Sequence, residues 1–145
     1  MSNLIVHIAL LINLILISIV DIKSKTIPNW TLIFFPVYFL IMFVFSKVPI
    51  LSIILPIVIF FAFFLAVHFI SRGGFGMGDV KLLGLIAGTL GIYKMIICVF
   101  FTCIFAMIVC IILLLKGRIE RKTKIPFAPF ITLGVLASLF FPVLI

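Results

Sequence analysis

Acidic residues are nearly absent from this chain: Asp21, Asp79 and Glu120 are the only three among 145 residues, and charged residues of either sign make up 10%. Ordinary globular chains carry about 25% charge. A domain of about 150 residues still exposes roughly 30% of its unfolded surface. With 67% of residues hydrophobic, a water-soluble fold is therefore excluded. Cysteine is scarce as well. Cys98, Cys103 and Cys110 share one apolar run, without the paired spacing of a zinc site or the even count of a secreted disulfide framework, so they read as packing residues. The in/out alternation of barrel strands is missing, as are internal repeats and any linker long enough to separate domains. The formal charge of +8 does not imply a nucleic-acid partner, because the basic residues are confined to short breaks between apolar runs.

What remains is a set of long apolar segments. Charged, Gly-rich and Pro-rich breaks divide the chain into six, at about residues 4–20, 30–45, 50–70, 80–93, 95–115 and 127–145. Only helices or a closed barrel satisfy every backbone group in hydrocarbon, so the expected fold is all-α, a polytopic membrane protein with about six transmembrane helices. The fourth segment is short and Gly-rich. At 1.5 Å per residue it reaches about 21 Å, against a hydrocarbon core of about 30 Å, so burial among its neighbours is expected. Gly84, Gly88 and Gly91 form a small-residue stripe suited to close helix packing. Pro36 and Pro56 should kink their helices rather than end them. Asn13 reads as interhelical glue, while Trp30 and Tyr93 suit the interfacial belt.

No basic residue precedes the first apolar stretch, so it reads as a retained helix rather than a removable signal peptide. If that helix enters from outside, Lys23, Lys25, Arg72, Lys81, Lys116, Arg118, Arg121, Lys122 and Lys124 fall on the cytoplasmic side, leaving only Lys47 and Lys94 outside. The positive-inside rule then favours an external N-terminus and a multi-pass protein of the cytoplasmic membrane.

A carboxylate inside a bilayer costs about 2.5 to 3.5 kcal/mol even on the lenient insertion scales. Yet Asp21 ends the first segment and Asp79 begins the fourth. Two crossings separate them, which returns both to the same cytoplasmic edge. Singly, Asp79 could cap a helix N-terminus and Asp21 could mark the water boundary. Together, in a chain with one other acid, they favour a paired-carboxylate site. Before Asp79, glycine occupies four of six positions (Gly73, Gly74, Gly76, Gly78), which suits a loop that admits an extended peptide beside a carboxylate. After Asp21, Pro28 biases Ile27 towards extended geometry and Asn29 is placed to cap the next helix. Lys81 is turned about 200° from Asp79 on a helix and reads as a snorkelling cation. His68, near the cytoplasmic end of the third segment, reads as a packing or hydrogen-bonding histidine, since no partner at metal spacing accompanies it. His7 lies near the opposite face.

Asp21 with Ile27, Pro28 and Asn29, then Gly76, Met77, Gly78, Asp79, Val80, Lys81 and Leu82, then Pro126, Phe127, Ala128, Pro129 and Phe130, resemble the type IV prepilin peptidase family. The three ordered motifs run from Asp21 to the last helix. The resemblance implies a single transmembrane peptidase domain over residues 1–145, a membrane aspartic endopeptidase of the GxGD type. Such an enzyme cuts the basic leader from type IV prepilins or pseudopilins at the cytoplasmic membrane face. Asp21 and Asp79 would be the catalytic pair, and Gly76, Gly78, Lys81, Pro28 and Asn29 the supporting motif residues. No cofactor or metal is implied. The partners are the prepilin substrate and the lipid bilayer, and no oligomeric state follows. Longer bacterial members carry a cytoplasmic insertion with paired cysteines and methylate their product; that insertion is lacking here, so peptidase activity without methylation is expected. Presenilin-like enzymes share the GxGD element but place a tyrosine before their first aspartate, where this chain has Val20.

Two carboxylates held close at a partly dehydrated membrane edge do not easily both ionise. One would activate water, and the other would hydrogen-bond the scissile carbonyl and protonate the leaving nitrogen. The competing class is a non-enzymatic membrane protein, a small transporter or a pilus or secretion assembly factor, in which the acids bind protons or cations. Transport sites usually lie near the midplane, which counts against it.

Overall fold

The computed structural model describes residues 2–24, 27, 32–72, 74–116 and 126–140. Among these, every regular element is helical: α1 Ser2–Ser24, α2 Phe34–Ser46, α3 Ile50–Ile70, α4 Met77–Leu115 and α5 Ala128–Phe140. Three contain stretches long and apolar enough to cross a membrane, Val6–Ser24, Ile50–Ile70 and Met77–Leu115, while α2 and α5 contribute shorter apolar stretches. The expected fourth and fifth segments follow one another directly within α4, as two helices that meet at a kink. They form the two arms of α4, which would reach about 58 Å if straight, nearly twice the hydrocarbon thickness. The helix breaks at Gly91, whose φ of 76° and ψ of 174° lie outside the helical region and in territory essentially reserved for glycine.

Gly91 thereby departs from the packing role expected of it, since a Cβ there would meet nothing within 4 Å. The other two glycines of the stripe do pack. A Cβ on Gly84 would approach Phe61 of α3 at 3.2 Å, and one on Gly88 would meet Ile57 of α3 at 2.7 Å and Phe39 of α2 at 2.9 Å. The first arm of α4 is accordingly enclosed: Val80, Leu82, Leu83, Ile86, Ala87 and Leu90 are all buried. A helix apolar and buried around its whole circumference is the core element of a bundle. The second arm buries only the stripe Met95, Cys98 and Thr102, where it meets α5. There Gly134 lies against the Thr102 hydroxyl and the Cys98 carbonyl. Cys98 is thus a packing residue, Cys110 is half-buried and Cys103 is exposed.

α1 shows how helical periodicity sorts core from lipid. Val6, Leu10, Leu14 and Ile17 are buried, while Ile8, Ile12, Ile15, Leu16 and Ile19 are exposed on the face available to lipid. The buried stripe continues at the same spacing to Asp21, and α1 runs to Ser24 rather than stopping at the charge. The Ser18 and Thr132 hydroxyls meet at 2.7 Å, and Ser18 also donates to the Leu14 carbonyl at 2.8 Å, tying α1 to α5 one turn from Asp21. The Tyr38 hydroxyl donates to the Ala9 carbonyl at 3.1 Å and ties α2 to α1. Asn13, expected to join helices, is buried on α1, where its side chain faces Tyr38 of α2. Pro36 falls in the first turn of α2, where a missing N–H costs nothing, and α3 continues through Pro56. Tyr93 is exposed; Trp30 lies outside the described residues, as do Lys25, Glu120 and the basic residues Arg118, Arg121, Lys122 and Lys124.

Gly134→Ala tests the α4–α5 contact. Its methyl would sit 2.6 Å from the Cys98 carbonyl oxygen, and overpacking of this kind costs about 1 to 3 kcal/mol. The expected result is a lower melting temperature in detergent with helical content retained.

Candidate active site

Two helix ends and one loop build the site. Asp21 stands in the last turn of α1 and is 4% exposed. A carboxylate at a helix C-terminus faces the negative end of the helix dipole, and burial adds a desolvation cost. Both are offset by α5. Pro129 has no N–H and the Phe130 and Ile131 amides donate to the Phe127 carbonyl, so the N–H of Ala128 is the free donor at the start of that helix. It donates to Asp21 Oδ2 at 3.0 Å. The segment Pro126 to Phe130 therefore supplies Asp21 with a backbone partner, a role invisible in its side chains.

Asp79 stands in the first turn of α4, half-buried, where the helix dipole favours an anion. It is not the cap: that position belongs to Gly76, in extended conformation at φ −65° and ψ 135°, and no side-chain cap bond is made. Gly76 instead provides room. A Cβ there would lie 2.8 Å from Asp79 Oδ2, so any side chain would displace the carboxylate. Gly78 serves a second approach, since its Cβ would meet Ile27 Cβ at 3.1 Å. That contact brings the chain following α1 against the start of α4. The two carboxylates consequently lie within electrostatic reach of one another, although no covalent segment shorter than two helices joins them.

The loop ahead of Gly76 is fastened to α3. The Phe75 amide donates to Ser71 Oγ at 3.1 Å, Ser71 Oγ donates to the His68 carbonyl at 3.0 Å, and the Gly74 amide donates to the Ser71 carbonyl at 3.0 Å. His68 Nδ1 lies 2.5 Å from the Phe75 carbonyl. The Phe75 ring stacks on Phe64 of α3 with centroids 5.8 Å apart and meets the edge of Phe127 at 5.5 Å.

Of the site residues expected from sequence, Asp21, Gly76, Gly78 and Asp79 are brought together. Lys81 lies on α4, partly buried, two residues beyond Asp79. Pro28 and Asn29 lie outside the described residues, whereas Ile27 of the same motif packs against the core. Sequence reasoning missed Ala128 as a donor, Ser18 and Thr132 beside it, and the bond from His68 to Phe75. Among the described residues no group of three or more His, Cys, Asp or Glu side chains is arranged to hold a metal ion.

Comparison with known proteins adds a family. The family model described as the type IV leader peptidase family matches residues 8–111. A prepilin leader peptidase/N-methyltransferase from Bacillus subtilis (strain 168) is 31% identical over 129 residues, which is 88% of this chain and 52% of the relative. The chain thus spans about half the length of the curated relative it matches. No solved structure matches it significantly.

Asp21→Leu and Asp21→Asn separate packing from polar satisfaction. Leucine leaves the buried Ala128 N–H unpaired, at a cost of about 1 to 3 kcal/mol. Asparagine keeps an acceptor oxygen. The melting temperature in detergent should fall clearly for the first and little for the second; equal falls would contradict the bond.

Proposed function

Because the chain belongs to the type IV leader peptidase family, we propose that it is a membrane aspartic endopeptidase of the GxGD type, with Asp21 and Asp79 as its catalytic pair. The observation that carries this reading is the convergence of these two acids from the last turn of α1 and the first turn of α4, close enough to interact electrostatically. Their substrates would be type IV prepilins or pseudopilins, each with a short basic leader followed by an apolar helix. Such a helix shares the bilayer with the enzyme, and its leader end reaches the carboxylates at the membrane edge.

The reaction needs one proton shared between two acids. The ionised carboxylate takes a proton from water as the water oxygen attacks the scissile carbonyl carbon. The protonated carboxyl hydrogen-bonds the carbonyl oxygen as it gains charge and then protonates the departing nitrogen, so that the C–N bond breaks with a neutral amine leaving. The pair titrates as a unit. Gly76 keeps a side chain away from Asp79, leaving backbone beside the carboxylate where an extended substrate can lie, and Gly78 lets Ile27 approach the start of α4.

The same reading sets the topology. α1 enters from outside, the two arms of α4 count as separate segments, and the site faces the cytoplasm across six apolar segments of the cytoplasmic membrane. Nine of the eleven basic residues then lie on the inner side. A proton- or cation-binding transporter is less well supported, because both acids stand at helix ends rather than at mid-membrane.

The test is cleavage of a prepilin-like peptide, carrying a basic leader and an apolar helix, by purified protein in detergent. Asp21→Asn and Asp79→Asn should each lower the rate by about 100-fold or more, while Lys23→Gln, at an exposed position, should leave it near that of the parent. Undiminished cleavage by either aspartate variant would remove that residue from the mechanism.

A further inference from the structure

The reading of Asp21 and Asp79 as the catalytic pair leaves open what holds their two supports at a fixed separation, and His68 on α3 supplies an answer that rests on that reading. A carbonyl oxygen has no proton to give, so at the Phe75 carbonyl His68 Nδ1 is the donor and carries the hydrogen. Phe75 is held at both of its backbone polar groups, its carbonyl by His68 and its amide by Ser71. The following residue is Gly76, whose α-carbon faces Asp79 Oδ2 with no space for a methyl. A movement of Phe75 is therefore passed to the Asp79 carboxylate within one residue.

The same ring also touches the segment that supports the other acid. Phe75 meets Phe127 edge to face, with an interplanar angle of 79°, and the residue after Phe127 is Ala128, whose amide holds Asp21. One aromatic contact thus joins the neighbour of Gly76 to the neighbour of Ala128. Phe64 of α3 stacks on the Phe75 ring at an interplanar angle of 19° and packs it against that helix. We propose that His68 is a positioning residue for the aspartate pair, setting the distance between the two carboxylates through the Phe75 backbone and the Phe75–Phe127 contact.

The experiment compares His68→Leu with His68→Asn, whose amide nitrogen falls near the place of Nδ1 and restores a donor, with Phe127→Leu reporting on the aromatic half of the linkage. Two readouts are taken in detergent: kcat and KM for the prepilin-like peptide, and amide hydrogen exchange over residues 74–80 and 128–131. His68→Leu should lower kcat by about 10- to 100-fold, the penalty of a displacement near 1 Å, with KM little changed. Exchange should accelerate in both segments, and the melting temperature should stay within a few degrees of the parent. His68→Asn should recover most of kcat and of the protection. Phe127→Leu should lower kcat and accelerate exchange at 128–131 even if His68→Leu does not fold. Parent-like exchange and kcat in His68→Leu would overturn the proposal, as would an asparagine variant no better than leucine. If the parent itself cleaves nothing, the catalytic reading fails, and exchange alone still decides whether His68 holds the two segments together.

Discussion

A carboxylate on the buried stripe of a membrane helix has to find a donor, and Asp21 finds one in the first free amide of α5. Several features of the structure are consequences of that bond. α5 has to begin at the depth where α1 ends, which places Pro126 to Phe130 beside the site. The Ser18–Thr132 contact one turn away holds the two helices in register. Without the amide, the carboxylate would face the negative end of its own helix in a medium that does not solvate it.

Asp79 depends on space more than on bonds. Gly76 leaves room for its carboxylate, Gly78 lets the start of α4 approach Ile27, and Gly84 and Gly88 seat the first arm of α4 against α3 and α2. The arm is short because Gly91 breaks the helix. It is buried on all sides because its neighbours can approach so closely. A carboxylate at the tip of such an arm is fixed by its scaffold.

Much of this was legible in the sequence. Scarcity of acids singled out Asp21 and Asp79, which stand in the last turn of α1 and the first turn of α4. The buried stripe of α1 could have been extended from Ile17 to Asp21 by its spacing alone, but a boundary drawn at the first charge ended the helix a turn early. Other parts carried no residue-type signal. Ala128 acts through its amide, which every non-proline residue possesses. Gly91 looked like a third member of the packing stripe because spacing does not reveal a positive φ, and the partner of His68 is a backbone carbonyl seven residues away, beyond the helix on which it lies.

The central claim is that residues 21 and 79 meet, and cross-linking reads it directly. In protein with Cys98, Cys103 and Cys110 replaced by alanine, Asp21→Cys and Asp79→Cys are introduced together and treated in membranes with a short bis-thiosulfonate reagent. The account predicts rapid intramolecular cross-linking, detected by mass spectrometry of the peptides containing the two positions, and none when Asp79→Cys is replaced by Lys94→Cys beyond the far end of the first α4 arm. Failure of the 21–79 pair to cross-link while both thiols are shown to react singly would contradict it.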